Sequence, residues 1–223
     1  MKFKNSGVII NAEELKPFAP VLKTWVKFVT RFSDTFPHID ACYWFNERAN
    51  ISVLAAAAWK TSSKWIALEE FSTVKHGVDG DEKNGRCDLY CALENHEASF
   101  AFEAKQAWQK IGRRVPNRLA EVNSKLNDAW DDVSKLQRTQ GAVRVAACFV
   151  APRLFATEAD ENGGVNACLQ GWMEELKEDV SFDALAWVFP ESSTDLTGTR
   201  GRLYPGVCLI LKVRKRAKKS AKG

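Results

Sequence analysis

No apolar run in the sequence approaches the ~20 residues that a membrane-spanning helix needs, and Met1 to Pro17 contain no apolar core of the kind a secretory leader carries. No membrane association is therefore expected, and a cytoplasmic location is. Histidine is scarce, at three residues (His38, His76 and His96), which leaves a Ser-His-Asp arrangement little to draw on. No glycine-rich loop of the phosphate-binding type is present. The six cysteines (Cys42, Cys87, Cys91, Cys148, Cys168 and Cys208) mostly sit among apolar residues, so they read as buried free thiols rather than a disulfide framework. A broad basic surface is lacking too. Seven basic and no acidic residues fall between Lys212 and Lys222, so of the net +4 the remainder of the chain carries −3.

What is present is ordinary globular material: 223 residues, 45% hydrophobic and 27% charged. That suits a single domain over 1–213 followed by a basic tail, 214–223. The tail, with Lys215 and Arg216 at its centre, is either attracted to phosphate backbones or a solubilising end.

Leu15, Phe18, Leu22, Val26 and Val29 recur at helical spacing and predict a helix over 12–32. A second is expected from Trp44 to Lys60, with Glu47 the one carboxylate on its apolar face. The period then changes to strands at Trp65–Val74, Arg86–Leu93 and Ser99–Trp108, with a polar loop from Lys75 to Gly85. Pro116 precedes a strong helix at Asn117–Gln137. A buried strand at Val143–Ala151, a helix at Val165–Glu178 and strands at Ala184–Phe189 and Val207–Val213 complete the order. The fold class expected is α/β, a mixed central sheet with helices on both faces.

One constellation carries chemistry. Asp88 lies on one strand, and Glu103-Ala104-Lys105 on the next. Residues i and i+2 of a strand share a face, so Glu103 and Lys105 point together while Phe100, Phe102 and Ala104 point to a core. Two carboxylates suit a hard cation such as Mg²⁺, which generates hydroxide near neutral pH, and a neighbouring lysine offsets charge developing on a phosphate. The tripeptide alone is weak. Acid-any-Lys also occurs at Glu14, Asp81 and Glu175, but only Glu103 has a strand context with an acid on the adjacent strand. The bland alternative is a solvated strand face with a surface ion pair. Of the Glu69-Glu70 pair, Glu70 is the candidate for the same face, or else both belong to a solvated edge. Zinc at His76, Cys87, Cys91 and His96 fails on spacing, since Cys87 and Cys91 lie about 13 Å apart on an extended strand.

Gly85-Arg86-Cys87-Asp88-Leu89-Tyr90 followed by Phe102-Glu103-Ala104-Lys105-Gln106, within a helix, three strands, helix, strand order from Trp44 to Ala151, resembles the PD-(D/E)XK nuclease superfamily. The resemblance covers about half the chain. It implies a restriction-endonuclease-like core and a metal-dependent nuclease acting on DNA ahead of RNA. Asp88 and Glu103 would be ligands of Mg²⁺ (Mn²⁺ substituting), Lys105 the catalytic lysine, and Glu47 the glutamate many members place on the preceding helix. Cys87 stands where the family name has proline.

Arg113, Arg114 and Arg118, with Lys110, follow the third strand and are candidates for backbone phosphates, or a solvated loop. The partner expected is nucleic acid, and a homodimer stays open. Two rival readings remain: a binding module that keeps the nuclease fold without cutting, and a structural α/β protein. Pairing register discriminates. For Asp88 and Glu103 to share a face, opposed residue numbers must sum to an odd value. A two-residue turn at Asn95-His96 gives 191 and sets Asp88 opposite Glu103, a four-residue loop gives 193, and a three-residue loop separates them.

Overall fold

The structure is a computed structural model, which describes residues 3–76, 82–136 and 142–214. Eight strands form one mixed sheet: β1 (Ser6–Ile10), β2 (Trp65–His76), β3 (Glu82–Leu93), β4 (Ser99–Lys110), β5 (Val143–Phe155), β6 (Ala184–Val188), β7 (Arg202–Leu203) and β8 (Val207–Val213). Among the described residues five α-helices accompany it: α1 (Ala19–Thr35), α2 (Glu47–Thr61), α3 (Ala120–Lys135), α4 (Ala156–Glu161) and α5 (Val165–Asp179). Strand order is β1-β6-β8-β5-β4-β3-β2, with β7 paired to the end of β5. Only β4 and β5 run parallel, because α3 carries the chain back between them; the other pairs are antiparallel.

Alternation along β5 divides the core. Val145, Ala147, Phe149 and Ala151 face α1 and α2, packing with Leu22, Trp25, Leu54 and Ala58. Cys148 and Val150 face the opposite layer, against Val122 and Leu126 of α3 and Leu169, Trp172 and Met173 of α5. Helices thus cover both faces, as the order of elements implied. Phe149 is 1% exposed beneath the Trp25 ring. Phe149→Ala should destabilise by about 3–5 kcal/mol and lower the melting temperature by roughly 10 °C, measured by calorimetry. A shift of under two degrees would mean this layer is not tightly packed.

Several elements differ from the sequence reading. The helix expected over 12–32 begins as a 3-10 turn at Glu13–Phe18 and becomes α-helical only from Ala19, because Pro17 and Pro20 have no N–H to donate and fit only a first turn. The polar stretch expected as a loop from Lys75 is largely strand: β2 runs on to His76 and β3 starts at Glu82, paired Thr73↔Gly85 and Lys75↔Lys83. Short β1, β7 and α4 carry too few residues to show a period. All six cysteines are buried and unpaired. Among the described residues no helix is long and apolar enough to cross a membrane.

Candidate functional site

β3 and β4 pair from Ala92↔Ser99 to Leu89↔Phe102, residue numbers that sum to 191, and the Leu93 N–H closes the turn on the Ala98 carbonyl at 2.8 Å. Continued by one step, this register sets Asp88 opposite Glu103. The ladder stops just before that step. Pairs of the same parity as Leu93 and Ala98 exchange main-chain hydrogen bonds, so the Ala104 N–H would next reach the Cys87 carbonyl. It donates instead to Asp88 Oδ2, at 2.7 Å.

β3 turns at the same point. Leu89 and Cys91 pack in the α1/α2 layer, whereas Cys87 packs with Ala101, Ala129 and Val133 on the α3 side. Glu70 of β2 has φ +52° and drops out of the β2–β3 ladder between Glu69↔Leu89 and Phe71↔Cys87. Beyond this twist β2 and β3 continue as a two-stranded arm, while β4 continues beside β5 to Lys110. The sheet forks at Asp88.

Into the fork projects Glu103, only 2% exposed. Lys75 of the arm brings its Nζ to 2.7 Å from Glu103 Oε1, but off the hydrogen-bonding direction, so this buried oxygen has a charge contact and no formed hydrogen bond. Lys105 Nζ lies 2.8 Å from Asp132 Oδ2 of α3, whose Oδ1 takes Lys135 at 2.8 Å. α3 is held in place by Gln109 of β4, whose Oε1 accepts the N–H groups of Glu121 (3.0 Å) and Val122 (3.2 Å) in the helix's first turn. Glu47 opens α2, where Asn46 caps the helix by accepting the Ala49 N–H at 2.9 Å.

Burial dominates the electrostatics. It pushes the Glu103 carboxyl up to about 7, helped by the charges of Asp88 and Asp132 and opposed by Lys75. Burial also raises Asp88, against the Ala104 N–H and Lys105, and raises Glu47, against Lys105 and with Asp88. Asp132 differs: burial would raise it, but its bonds to Lys105 and Lys135 prevail and lower it. Lys105 is likewise desolvated, yet Asp132, Glu47 and Asp88 together raise its pKa. Glu47, Asp88, Glu103, Lys105 and Asp132 therefore sense one another as a single cluster. Lys75 and Asp132 were not singled out from the sequence. Asp132 follows Ala129 of the buried stripe by three positions, and that wheel position was the available signal.

Glu70 adds its charge to Asp88, while the other candidates stand apart. Glu69 accepts a hydrogen bond from Ser52 at 2.9 Å, and Glu70 is held by Arg48 and Arg86, each at 3.2 Å. Arg114 pairs with Glu161 at 3.1 Å, Arg118 with Glu175, and Arg113 lies near Cys168. These arginines precede Ala120, twelve residues before Asp132, so they sit roughly 18 Å away along α3. Lys215 and Arg216 lie outside the described residues. Closer cations are Lys212 and Arg214, 5.3 and 4.9 Å from the Trp130 ring. Lys212 shares a row with the site through Glu103↔Ala146↔Lys212, about 10 Å across two strand spacings.

The donor chemistry suits a hard divalent cation: Asp88 and Glu103, with Glu47, offer carboxylate oxygens that are desolvated and outnumber the two lysines beside them. The positions are not those of a closed metal cage, since no three His, Cys, Asp or Glu side chains among the described residues are grouped to hold an ion. Comparison with known proteins finds no match: no family model, no curated protein and no solved structure is similar to this chain.

Proposed function

We propose that this chain is a metal-dependent nuclease that hydrolyses phosphodiester bonds, DNA ahead of RNA, on a PD-(D/E)XK-like core. The observation that supports this is the fork itself, a break in strand pairing at which Asp88 and Glu103 are desolvated and Asp88 feels the charge of Lys105. Asp88 and Glu103 would hold Mg²⁺, or Mn²⁺ in its place, which when bound supplies hydroxide from water and polarises the phosphate. Lys105 stays protonated in its acidic setting, so it acts as a fixed positive charge toward the phosphate rather than as a base. Asp132 positions that ammonium. Glu47, at the start of α2, adds a third carboxylate, whose pKa burial raises against the pull of Lys105.

Incubation with linear, circular, single-stranded and double-stranded DNA, in Mg²⁺ or in EDTA, tests the reading. Cleavage only with metal is expected, and its absence on all four substrates overturns it. Lys105→Ala should abolish turnover while leaving DNA affinity within about threefold, read by gel shift in Ca²⁺, since one lysine among many phosphate contacts contributes little to binding. Equal losses of both would instead make Lys105 a binding residue.

A second reading has its own support. Lys75 already lies on Glu103, and the ligands are not drawn together, as suits a fold that binds nucleic acid or protein without cutting. Metal affinity separates the two. A site that works stabilises by about 2.7 kcal/mol at Mg²⁺ a hundredfold above its Kd, seen as a rise in melting temperature; a closed one does not respond.

A further inference from the structure

Away from the fork, where β4 and β5 end beside α4, lies a pocket of about 220 Å³. Lys110, Arg114, Arg153 and Arg202 line it, with Glu158 as the only carboxylate among its lining residues. Arg114 is engaged by Glu161 at 3.1 Å. Among the described residues Lys110, Arg153 and Arg202 have no carboxylate partner within ion-pair distance. Glu158 is committed to its own helix, accepting the Phe155 N–H at 3.2 Å.

Arg153 is the telling residue. Its Nε is buried without a hydrogen-bond acceptor. A buried donor left unpaired is unfavourable by about 1–3 kcal/mol, so native proteins seldom keep one without a use. The residue is set by β5, with its carbonyl taking the Ile111 N–H at 3.0 Å. Arg202 comes from β7, which pairs Phe155↔Arg202, and lies over the Phe155 ring at 5.3 Å. Both guanidinium groups thus stand on strand positions rather than on free side-chain ends. Guanidinium pairs fit the oxygens of a tetrahedral oxyanion by two parallel hydrogen bonds, which an ammonium cannot do. The volume is several times the ~30 Å³ share of one water, so a polyatomic anion is admitted.

We propose that this pocket binds a phosphate group, with Arg153 and Arg202 as its guanidinium clamp and Lys110 as a third charge. The sequence offered Lys110, Arg113, Arg114 and Arg118 for backbone phosphates, with a solvated loop as the alternative; the pocket shares Lys110 and Arg114 with that set and adds Arg153 and Arg202. The inference is independent of cleavage at Glu103, which lies seven residues, about 23 Å, from Lys110 along β4.

Isothermal titration of the full chain with inorganic phosphate at low salt is the test, repeated with a 5′-phosphorylated and an unphosphorylated dinucleotide. One saturable site is expected. Arg202→Gln and Lys110→Ala, both toward the rim, should each weaken binding at least fivefold, and Arg153→Gln more than tenfold. Glu158→Gln, which removes the competing charge and keeps an acceptor for Phe155, should tighten it. Running the titration on Asp88→Asn separates this outcome from loss of nuclease function. Tighter binding of both dinucleotides assigns a nucleic-acid backbone as the source. Preference for the phosphorylated one alone assigns a terminal phosphate, and no gain over inorganic phosphate assigns a free anion. Absence of saturable binding, or binding indifferent to Arg202→Gln and Lys110→Ala in folded protein, overturns the proposal.

Discussion

Asp88→Asn and Glu103→Ala should each lower Mg²⁺-dependent DNA cleavage by on the order of 10²–10³-fold or more, the scale seen when one preorganised charge is removed from an active site. The choice of asparagine matters. Asp88 Oδ2 accepts the Ala104 N–H, so alanine there would orphan a buried donor and confuse a folding defect with a catalytic one. Asparagine keeps an acceptor at that place and removes the charge. The partner of the Glu103 carboxylate is the Lys75 ammonium and not a main-chain group, so its truncation strands no backbone donor. Rates should be read under saturating substrate, with circular dichroism confirming the fold. Retained metal-dependent cleavage in both variants, with contaminating nuclease excluded, sinks the assignment.

Glu103→Gln should stabilise the protein above pH 7 while removing activity. The sign follows from linkage. The carboxyl is raised by burial to about 7 in the folded chain, from an ordinary 4.5. Below about pH 4.5 it is protonated in both states and has no effect on the equilibrium. Between 4.5 and 7 the unfolded chain ionises first, so stability falls as pH rises. Above 7 the full penalty is present, roughly 3 kcal/mol for a shift of this size. Glutamine has the same shape and no charge, so it abolishes the penalty and flattens the slope. The expected gain at pH 8 is roughly 6–12 °C in melting temperature, shrinking to nothing near pH 4. A variant that melts lower than the parent at pH 8, with an unchanged pH slope, would show that Lys75 fully compensates the Glu103 charge.

Much of the frame was legible in the sequence because it follows from periodicity. The strand Val207–Val213 and the helix starting at Val165 stand where their patterns put them. The odd pairing sum of the Asp88 hairpin, 191, was among the choices that side-chain parity offered, but the turn that gives it is not the two-residue Asn95-His96 turn expected: a 3-10 segment, Glu94–His96, lies inside a turn closed from Leu93 to Ala98. What was not legible depends on partners far apart in the chain. Lys75 reads as the start of a polar loop until β3 pairs with it and the twist at Glu70 brings it back over Glu103. Asp132 reads as one more acid on the wet side of α3, and only the Gln109 cap determines that it meets Lys105. Arg113, Arg114 and Arg118 follow the far end of β4, away from Glu103 and Lys105, because the strand runs on to Lys110 before α3 begins.

The left-handed Glu70 has a consequence for solubility. β2 is the outermost strand at one end of the sheet and twelve residues long; among the described residues its outer edge is bridged at Lys75↔Leu136, far from Trp65–Glu69, and Ile66, Leu68 and Phe71 are exposed. A flat, apolar edge of that length is a template for pairing with another chain and so for aggregation. At Glu70 the backbone leaves the extended conformation, at a strain of roughly 1–2 kcal/mol for a residue with a side chain. The neighbouring Glu69 and Glu70 carboxylates put charge on either side of the bend. An incoming strand could follow this edge for only about five residues, from Trp65 to Glu69, before losing register. The same kink that gives β3 its turn at Asp88 thus keeps neighbouring molecules from zipping onto the sheet.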